Sequence, residues 1–218
     1  MISSSVMSSI LPAGVSVCEL TGAAKPDRLY PEEEALVSRA VLRRRREFAL
    51  SRTCARRALA DIGVAPLPIL STPDRAPMWP PGVIGSITHC DSYTAAAVCS
   101  SRHFLSLGID AEINQPLPEE VPALISSVTE QLLIRQLPDS SICWDRVLFS
   151  AKESIFKAWF PVAKRWLDFR DAEVTIDPLR FTFHAEILVE SHLTGPSFDG
   201  RFMLHNTHLL TAVWLPHQ

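Results

Sequence analysis

The segment FSAKESIFKAW, Phe149 to Trp159, sets Lys152, Glu153 and Lys157 among large aromatic side chains. Glu153 and Lys157 are four residues apart, the spacing of an ordinary ion pair on a helix rim. Phe149, Phe156 and Phe160 also fall within about 60° of Glu153 on a helical wheel. A carboxylate placed there loses water and needs a positive partner to stay charged. A second acidic group lies in GIDAE, where Asp110 and Glu112 are two residues apart and share one face of a strand. Side by side they repel, unless a cation holds them; oxygen donors without nearby cysteine suit a hard ion such as Mg²⁺. A solvated strand edge explains the same D-x-E spacing. A metal shared by Asp110, Glu112 and Glu153 explains all three acids together.

Two further groups could bind anions. LRRRREFALSRTCARRAL carries seven arginines. On a helical wheel Val37, Val41, Phe48, Ala55 and Leu59 form an apolar stripe with Arg44. Arg45, Arg52 and Arg56 border the stripe, whereas Arg43, Arg46 and Arg57 lie on the far side. Four guanidinium groups turned toward the protein need anionic partners, either phosphate or internal carboxylates. In GSITHCDSY, His89 ends a strand next to a turn, and Gly85 and Ser86 permit close backbone approach, which suits a phosphate-bearing ligand.

The elements that position these residues follow from periodicity. Residues 31–63 read as one long helix, with Pro31 and three glutamates in the first turn and Gly63 at the end. VIGSITH (83–89) and YTAAAVCS (93–100) read as strands around a turn. HFLSLGIDAE (103–112) alternates, placing Leu105, Leu107, Ile109 and Ala111 on one face and Ser106, Gly108, Asp110 and Glu112 on the other. DRVLFSAKESIFKAWFP (145–161) is a second helix, stopped by Pro161. EVTIDP, FTFHAEILVE and HLLTAVWL are β-rich, and proline clusters at 65–82 and 114–122 mark loops. Helices and strands mix without strict alternation, so the fold class is α+β.

The whole chain limits the options. Its 218 residues suffice for one large domain or two small ones, and 47% hydrophobic with 21% charged residues is ordinary for a soluble protein. A net charge of −3 recruits neither nucleic acid nor an anionic membrane. No apolar run reaches the length of a membrane span, and no Lys or Arg precedes Lys25 to form the basic start of a secretory signal. Five scattered cysteines without a C-x-x-C read as reduced, mostly buried thiols in a cytoplasmic protein.

The order of an arginine helix, GSITHC, GIDAE and FSAKESIFKAW resembles the 4′-phosphopantetheinyl transferases of the surfactin and enterobactin type. RAPMWP (75–80), GSITHC (85–90), GIDAE (108–112), WDRVLFSAKESIFKAW (144–159) and KRWLDF (164–169) look closest to actinobacterial members. The resemblance implies two similar α+β halves related by a pseudo-twofold, 1–107 and 108–218, with coenzyme A between them. It implies transfer of phosphopantetheine from coenzyme A to a serine of apo acyl or peptidyl carrier proteins in fatty acid, polyketide or nonribosomal peptide synthesis, releasing 3′,5′-ADP.

Residue by residue, the resemblance implies that Asp110, Glu112 and Glu153 hold Mg²⁺, and that Glu153 is the base, directly or through a metal-held water. Lys152 and Lys157 are expected to clamp phosphates during transfer. His89, Ser86, Thr88, Arg44 and Arg52 are expected at the 3′-phosphate end of coenzyme A, with Arg45 and Arg75 as further contacts. Relatives can carry lysine where this chain has Ser71, and Arg75 stands ready to compensate. A monomer is expected, with carriers meeting the Pro-, Leu- and Glu-rich stretch 113–143. Two other classes remain: a Mg²⁺-dependent nucleotide phosphohydrolase, and a nucleic-acid module on the arginine helix, which the acidic net charge opposes.

Overall fold

A computed structural model describes residues 5–190 and 197–217. The expected long first helix is two helices, α1 (Pro31–Leu36) and α2 (Leu42–Asp61). The cause is Glu33, which is fully buried. Its carboxylate accepts hydrogen bonds from Arg56 at 2.8 and 2.9 Å, from the Ile69 amide at 2.9 Å and from the Tyr30 amide at 3.0 Å. In one straight helix residues 33 and 56 would lie about 35 Å apart, so the chain must turn back before Arg56 can reach Glu33. It does so through Val41, which is extended (φ −63°, ψ 156°). Val41 is therefore 73% exposed and not part of the apolar stripe, while Phe48, Ala55 and Leu59 are buried as the wheel predicts.

The chain divides into two units, Met1–Leu105 with Pro216–Gln218, and Ser106–Leu215. In the first, β1 (Ser16–Thr21), β2 (Val83–Cys90) and β3 (Tyr93–Ser100) form an antiparallel sheet in the order β1-β3-β2. Cys54, Ala55, Ala58 and Leu59 of α2 pack with Ile69, Ala96 and Val98 to make its core. Tyr93 donates its phenol hydrogen to Glu19, whose carboxylate also accepts the amides of Val6 and Met7 at 2.7 Å. That cluster ties β1 and β3 to the short 3-10 helix Met7–Ile10.

In the second unit, β4 (Phe104–Ile113) is followed by the short helices α3 (Val121–Ile125) and α4 (Val128–Gln136), then α5 (Trp144–Ala163). β5 (Ala172–Asp177), β6 (Thr182–Ile187), β7 (Ser197–His205) and β8 (His208–Pro216) complete a five-stranded sheet in the order β4-β8-β7-β6-β5. Val147, Leu148, Ala151, Ile155 and Trp159 of α5 share a core with Val174, Phe183, Phe198 and Phe202 from the strands. Pro161 does not end α5. It lies inside the last turn, and the helix closes at Lys164, whose left-handed backbone (φ 51°) lets its amide bond the Phe160 carbonyl. Proline has no N–H to give to the Lys157 carbonyl and its ring crowds that carbonyl, so the helix carries on only a few residues past it.

The secondary structure is α+β, as the sequence implies. All five cysteines are free, with Cys54 and Cys99 buried and the others partly exposed. Among the described residues no helix is long and apolar enough to cross a membrane.

Candidate functional site

The two acidic segments meet on one face, because α5 runs antiparallel along β4. Ser106 Oγ donates to the Ala158 carbonyl at 2.5 Å, Ser150 Oγ to Asp110 Oδ2 at 2.8 Å, and Arg146 to Glu112 Oε2 at 3.0 Å. Gly108 faces Ser154, and a Cβ on it would stand 1.9 Å from the Ser154 carbonyl oxygen. Only glycine lets helix and strand approach this closely. Successive steps of two along β4 thus match steps of four along α5, since each spans about 6–7 Å.

Lys157 closes the face from the other side. Its ammonium donates to Asp110 Oδ1 at 2.6 Å and to the Ile109 carbonyl at 3.2 Å. Burial raises the Glu112 carboxyl above its ordinary range; the Asp110 charge adds to this, while Arg146 and Lys157 oppose it. Burial likewise raises Glu153, opposed by Lys157 and reinforced by Asp110. Asp110, Glu153 and Lys157 therefore feel one another, and Glu153 is the desolvated carboxylate that its aromatic neighbours predict. Phe149, Phe156 and Phe160 are each half-buried, in ring contacts with Phe169, with Trp166 and with one another.

The donors fit a hard divalent cation in kind: three carboxylates, two of them raised by burial and by a neighbouring negative charge, need positive charge close by. Lys157 and Arg146 supply it here. Among the described residues no three carboxylate, imidazole or thiol side chains converge on one point.

Lys152 stands apart from this face. Its side chain is 2% exposed, and its ammonium bonds Glu130 Oε2 at 2.8 Å, the Ile125 carbonyl at 2.8 Å and the Phe169 carbonyl at 2.6 Å. All three ammonium hydrogens have protein partners, so the phosphate-clamp role expected of Lys152 gives way to a structural one. Burial pulls its pKa below the ordinary lysine range, and Glu130 works against that.

The anion-binding candidates of the first unit also divide. Arg44 lies 3.4 Å from His89 Nε2, and Glu47 Oε2 is 3.7 Å from Arg44 and 3.5 Å from His89. Arg52 is buried, donates to the Ile69 carbonyl at 2.6 Å and to Ser71 Oγ at 2.8 Å, and stacks over Phe48 at 4.0 Å. Burial draws its pKa down to about 10, against the pull of Glu33, so it stays charged at neutral pH. Arg56 is satisfied by Glu33, whereas Arg45 is exposed rather than turned inward. Arg75 is exposed in a tight loop with a left-handed backbone (φ 66°), where its amide bonds the Thr72 carbonyl at 2.9 Å.

Ser86 and Thr88 are buried, and strand alternation puts them on the face of β2 opposite His89. The room beside Gly85 is taken by Trp79: a Cβ there would meet the indole at 2.8 Å, and Trp79 Nε1 donates to the Gly85 carbonyl at 2.9 Å. Gly85 therefore serves packing rather than ligand approach. Ser150, Arg146, Glu130 and Glu47 are partners that the sequence reading did not single out. Two of them carried a local signal: Ser127-x-x-Glu130 is a capping box with both hydrogen bonds formed, and Glu47 stands at i, i+4 from Arg43, with which it pairs at 2.9 Å.

Two family matches cover the chain in series: the 4′-phosphopantetheinyl transferase N-terminal domain over residues 32–99, and the 4′-phosphopantetheinyl transferase superfamily over residues 106–195. The 4′-phosphopantetheinyl transferase Npt of Nocardia iowensis is 41% identical over 220 residues, covering 95% of this chain and 99% of the relative. PptT of Mycobacterium tuberculosis is 40% identical over 96% of this chain and 98% of its own. Svp of Streptomyces mobaraensis is 46% identical over 85% of this chain and 78% of its own. These relatives bear transferase names and lend no support to the phosphohydrolase alternative. Coenzyme A and carrier proteins are the substrates of such enzymes. Matched in both its parts, and at 40% identity or more to relatives of nearly its own length, the chain belongs to the 4′-phosphopantetheinyl transferase family.

Proposed function

We propose that the β4–α5 face is the transfer centre, where phosphopantetheine passes from coenzyme A to a carrier serine. The observation that carries this is the meeting of Asp110, Glu112, Glu153 and Lys157 around one helix–strand contact. The serine oxygen bonds the β-phosphorus, the bond from that phosphorus to the bridging oxygen breaks, and 3′,5′-ADP leaves with the electron pair. The serine proton passes to Glu153, whose raised pKa suits it to accept one. Lys157, already on Asp110, lies where charge develops during transfer. Asp110, Glu112 and Glu153 would hold Mg²⁺, which would neutralise charge on the pyrophosphate; Lys157 and Arg146 pair with Asp110 and Glu112 in this structure.

At the nucleotide end we assign the 3′-phosphate to Arg44 and His89, with Arg52 behind them on Ser71; the exposed Arg45 and Arg75 are further contacts in this reading, whereas Ser86 and Thr88, buried on the opposite face of β2, support the strand that carries His89. Carriers of the fatty-acid, polyketide and peptide pathways are the proposed acceptors. The five free cysteines favour a cytoplasmic setting, and the chain acts as a monomer in this reading.

Mass spectrometry tests the centre. With coenzyme A, Mg²⁺ and an apo-carrier, the carrier gains one phosphopantetheine group. Glu153→Gln stops that gain while coenzyme A still binds. Near-normal turnover in Glu153→Gln refutes the base, and no gain on fatty-acid, polyketide or peptide carriers refutes the transfer.

A further inference from the structure

Glu47 occupies the space between the basic groups of the first unit. Its Oε1 accepts from Arg43 Nε at 2.9 Å, while Oε2 lies 3.7 Å from Arg44 and 3.5 Å from His89 Nε2. Desolvation pushes this carboxyl up, but the Arg43 hydrogen bond and the charges of His89, Arg43 and Arg44 outweigh it and hold Glu47 below its ordinary range. An acid set among cations is the geometry that a bound anion would take. A cavity of about 440 Å³ adjoins it, and Arg43, Arg46, Glu47 and His89 contribute to its lining. The carboxylate therefore has room to leave Arg44 and His89 while keeping its hydrogen bond to Arg43.

We infer that Glu47 is a resident counter-anion, which neutralises Arg44 and His89 in the free enzyme and yields to the phosphate monoester at the 3′ position of the incoming nucleotide. This rests on the assignment of that phosphate to Arg44 and His89. The consequence is selectivity set by exchange. A ligand bearing the 3′-phosphate regains what it displaces, whereas one lacking it leaves Glu47 in place and meets no gain. Removing the charge of Glu47 removes its competition for Arg44 and His89 in advance, so it favours only the phosphorylated ligand.

Titration calorimetry of coenzyme A and of 3′-dephospho-coenzyme A, at low salt, tests this with the wild type, Glu47→Gln and Arg44→Ala. Glu47→Gln should tighten coenzyme A roughly three- to fivefold and leave the dephospho compound unchanged, and the gain should fade with added salt. Weaker coenzyme A binding in Glu47→Gln, or an equal change for both ligands, overturns the counter-anion role. Arg44→Ala separates the two claims. A preserved preference for coenzyme A over the dephospho compound in that variant overturns the phosphate assignment itself. A lost preference there, with Glu47→Gln inert, overturns only the part given to Glu47.

Discussion

Tyr93 is 5% exposed, and its hydroxyl donates to a carboxylate that already holds two backbone amides. Burial is the first cause that pushes its pKa upward, and the Glu19 charge adds to it. In the unfolded chain the phenol ionises near pH 10. The folded phenol stays neutral there, so the unfolded state releases its proton first. Stability from this group is complete below about pH 10 and falls above it by at most ~1.4 kcal/mol per pH unit. Tyr93→Phe should cost about 1–3 kcal/mol at neutral pH, the worth of a hydrogen bond to a charged group. The gap between variant and wild type should then narrow above pH 10. Urea unfolding at pH 8, 10 and 11 measures it, and a constant gap would mean that the phenol ionises alike in both states.

At the scale of elements, the ion pair of Lys152 and Glu130 joins α5 to α4, and Glu130 Oε1 also accepts the Val174 amide of β5 at 2.8 Å. Breaking one partner of such a pair strands a buried charge, which costs about 3–5 kcal/mol. Glu130→Gln should lower stability by that order in denaturant titration, because it strands the Lys152 charge while keeping an oxygen to accept the Val174 amide. Unchanged stability with weaker coenzyme A binding would return Lys152 to the ligand. The capping box was readable from Ser127 and Glu130, but not the second use of the same carboxylate. Lys152 looked ligand-facing because its partner sits 22 residues away on another helix. The break at 37–41 was hidden for the same reason: local spacing favours one helix, and the Glu33–Arg56 pair that forbids it is long-range. By contrast GIDAE and K-E-x-x-x-K were legible, since their alternation and wheel positions are local. β7 was missed although Phe198, Gly200 and Phe202 alternate inward, because Asp199 and Arg201 dilute the apolar pattern. There Gly200 makes way for the Phe183 ring, which a Cβ would meet at 2.1 Å.

At the scale of the whole molecule, a transferase must present a surface to a protein substrate as well as a centre to coenzyme A. The stretch 113–143, expected to meet carriers, contains α3 and α4. Val128 and Leu132 are 75% and 53% exposed, and with Arg135 they follow i, i+4, i+7 spacing on one face of α4. An apolar patch with a cation beside it suits an acidic partner helix. Val128→Glu with Leu132→Glu should raise the KM for carrier about tenfold or more, with coenzyme A affinity kept. Equal kinetics with both carboxylates in place would move the docking surface elsewhere.

The matched stepping of β4 and α5 has a consequence for how the proposed centre tolerates change. Side-chain substitutions alter one contact at a time, but the alignment of Ser106, Gly108, Asp110 and Glu112 with Ala158, Ser154, Ser150 and Arg146 depends on counting. Deleting one residue within β4 sends every later side chain to the opposite face. Deleting one within α5 turns the rest of the helix by about 100°. Either lesion scatters Asp110, Glu112, Glu153 and Lys157 together, even where each is still present. Length changes should therefore collect in the loops outside these two elements, and the spacing within 106–112 and 146–158 acts as a reading frame for the chemistry.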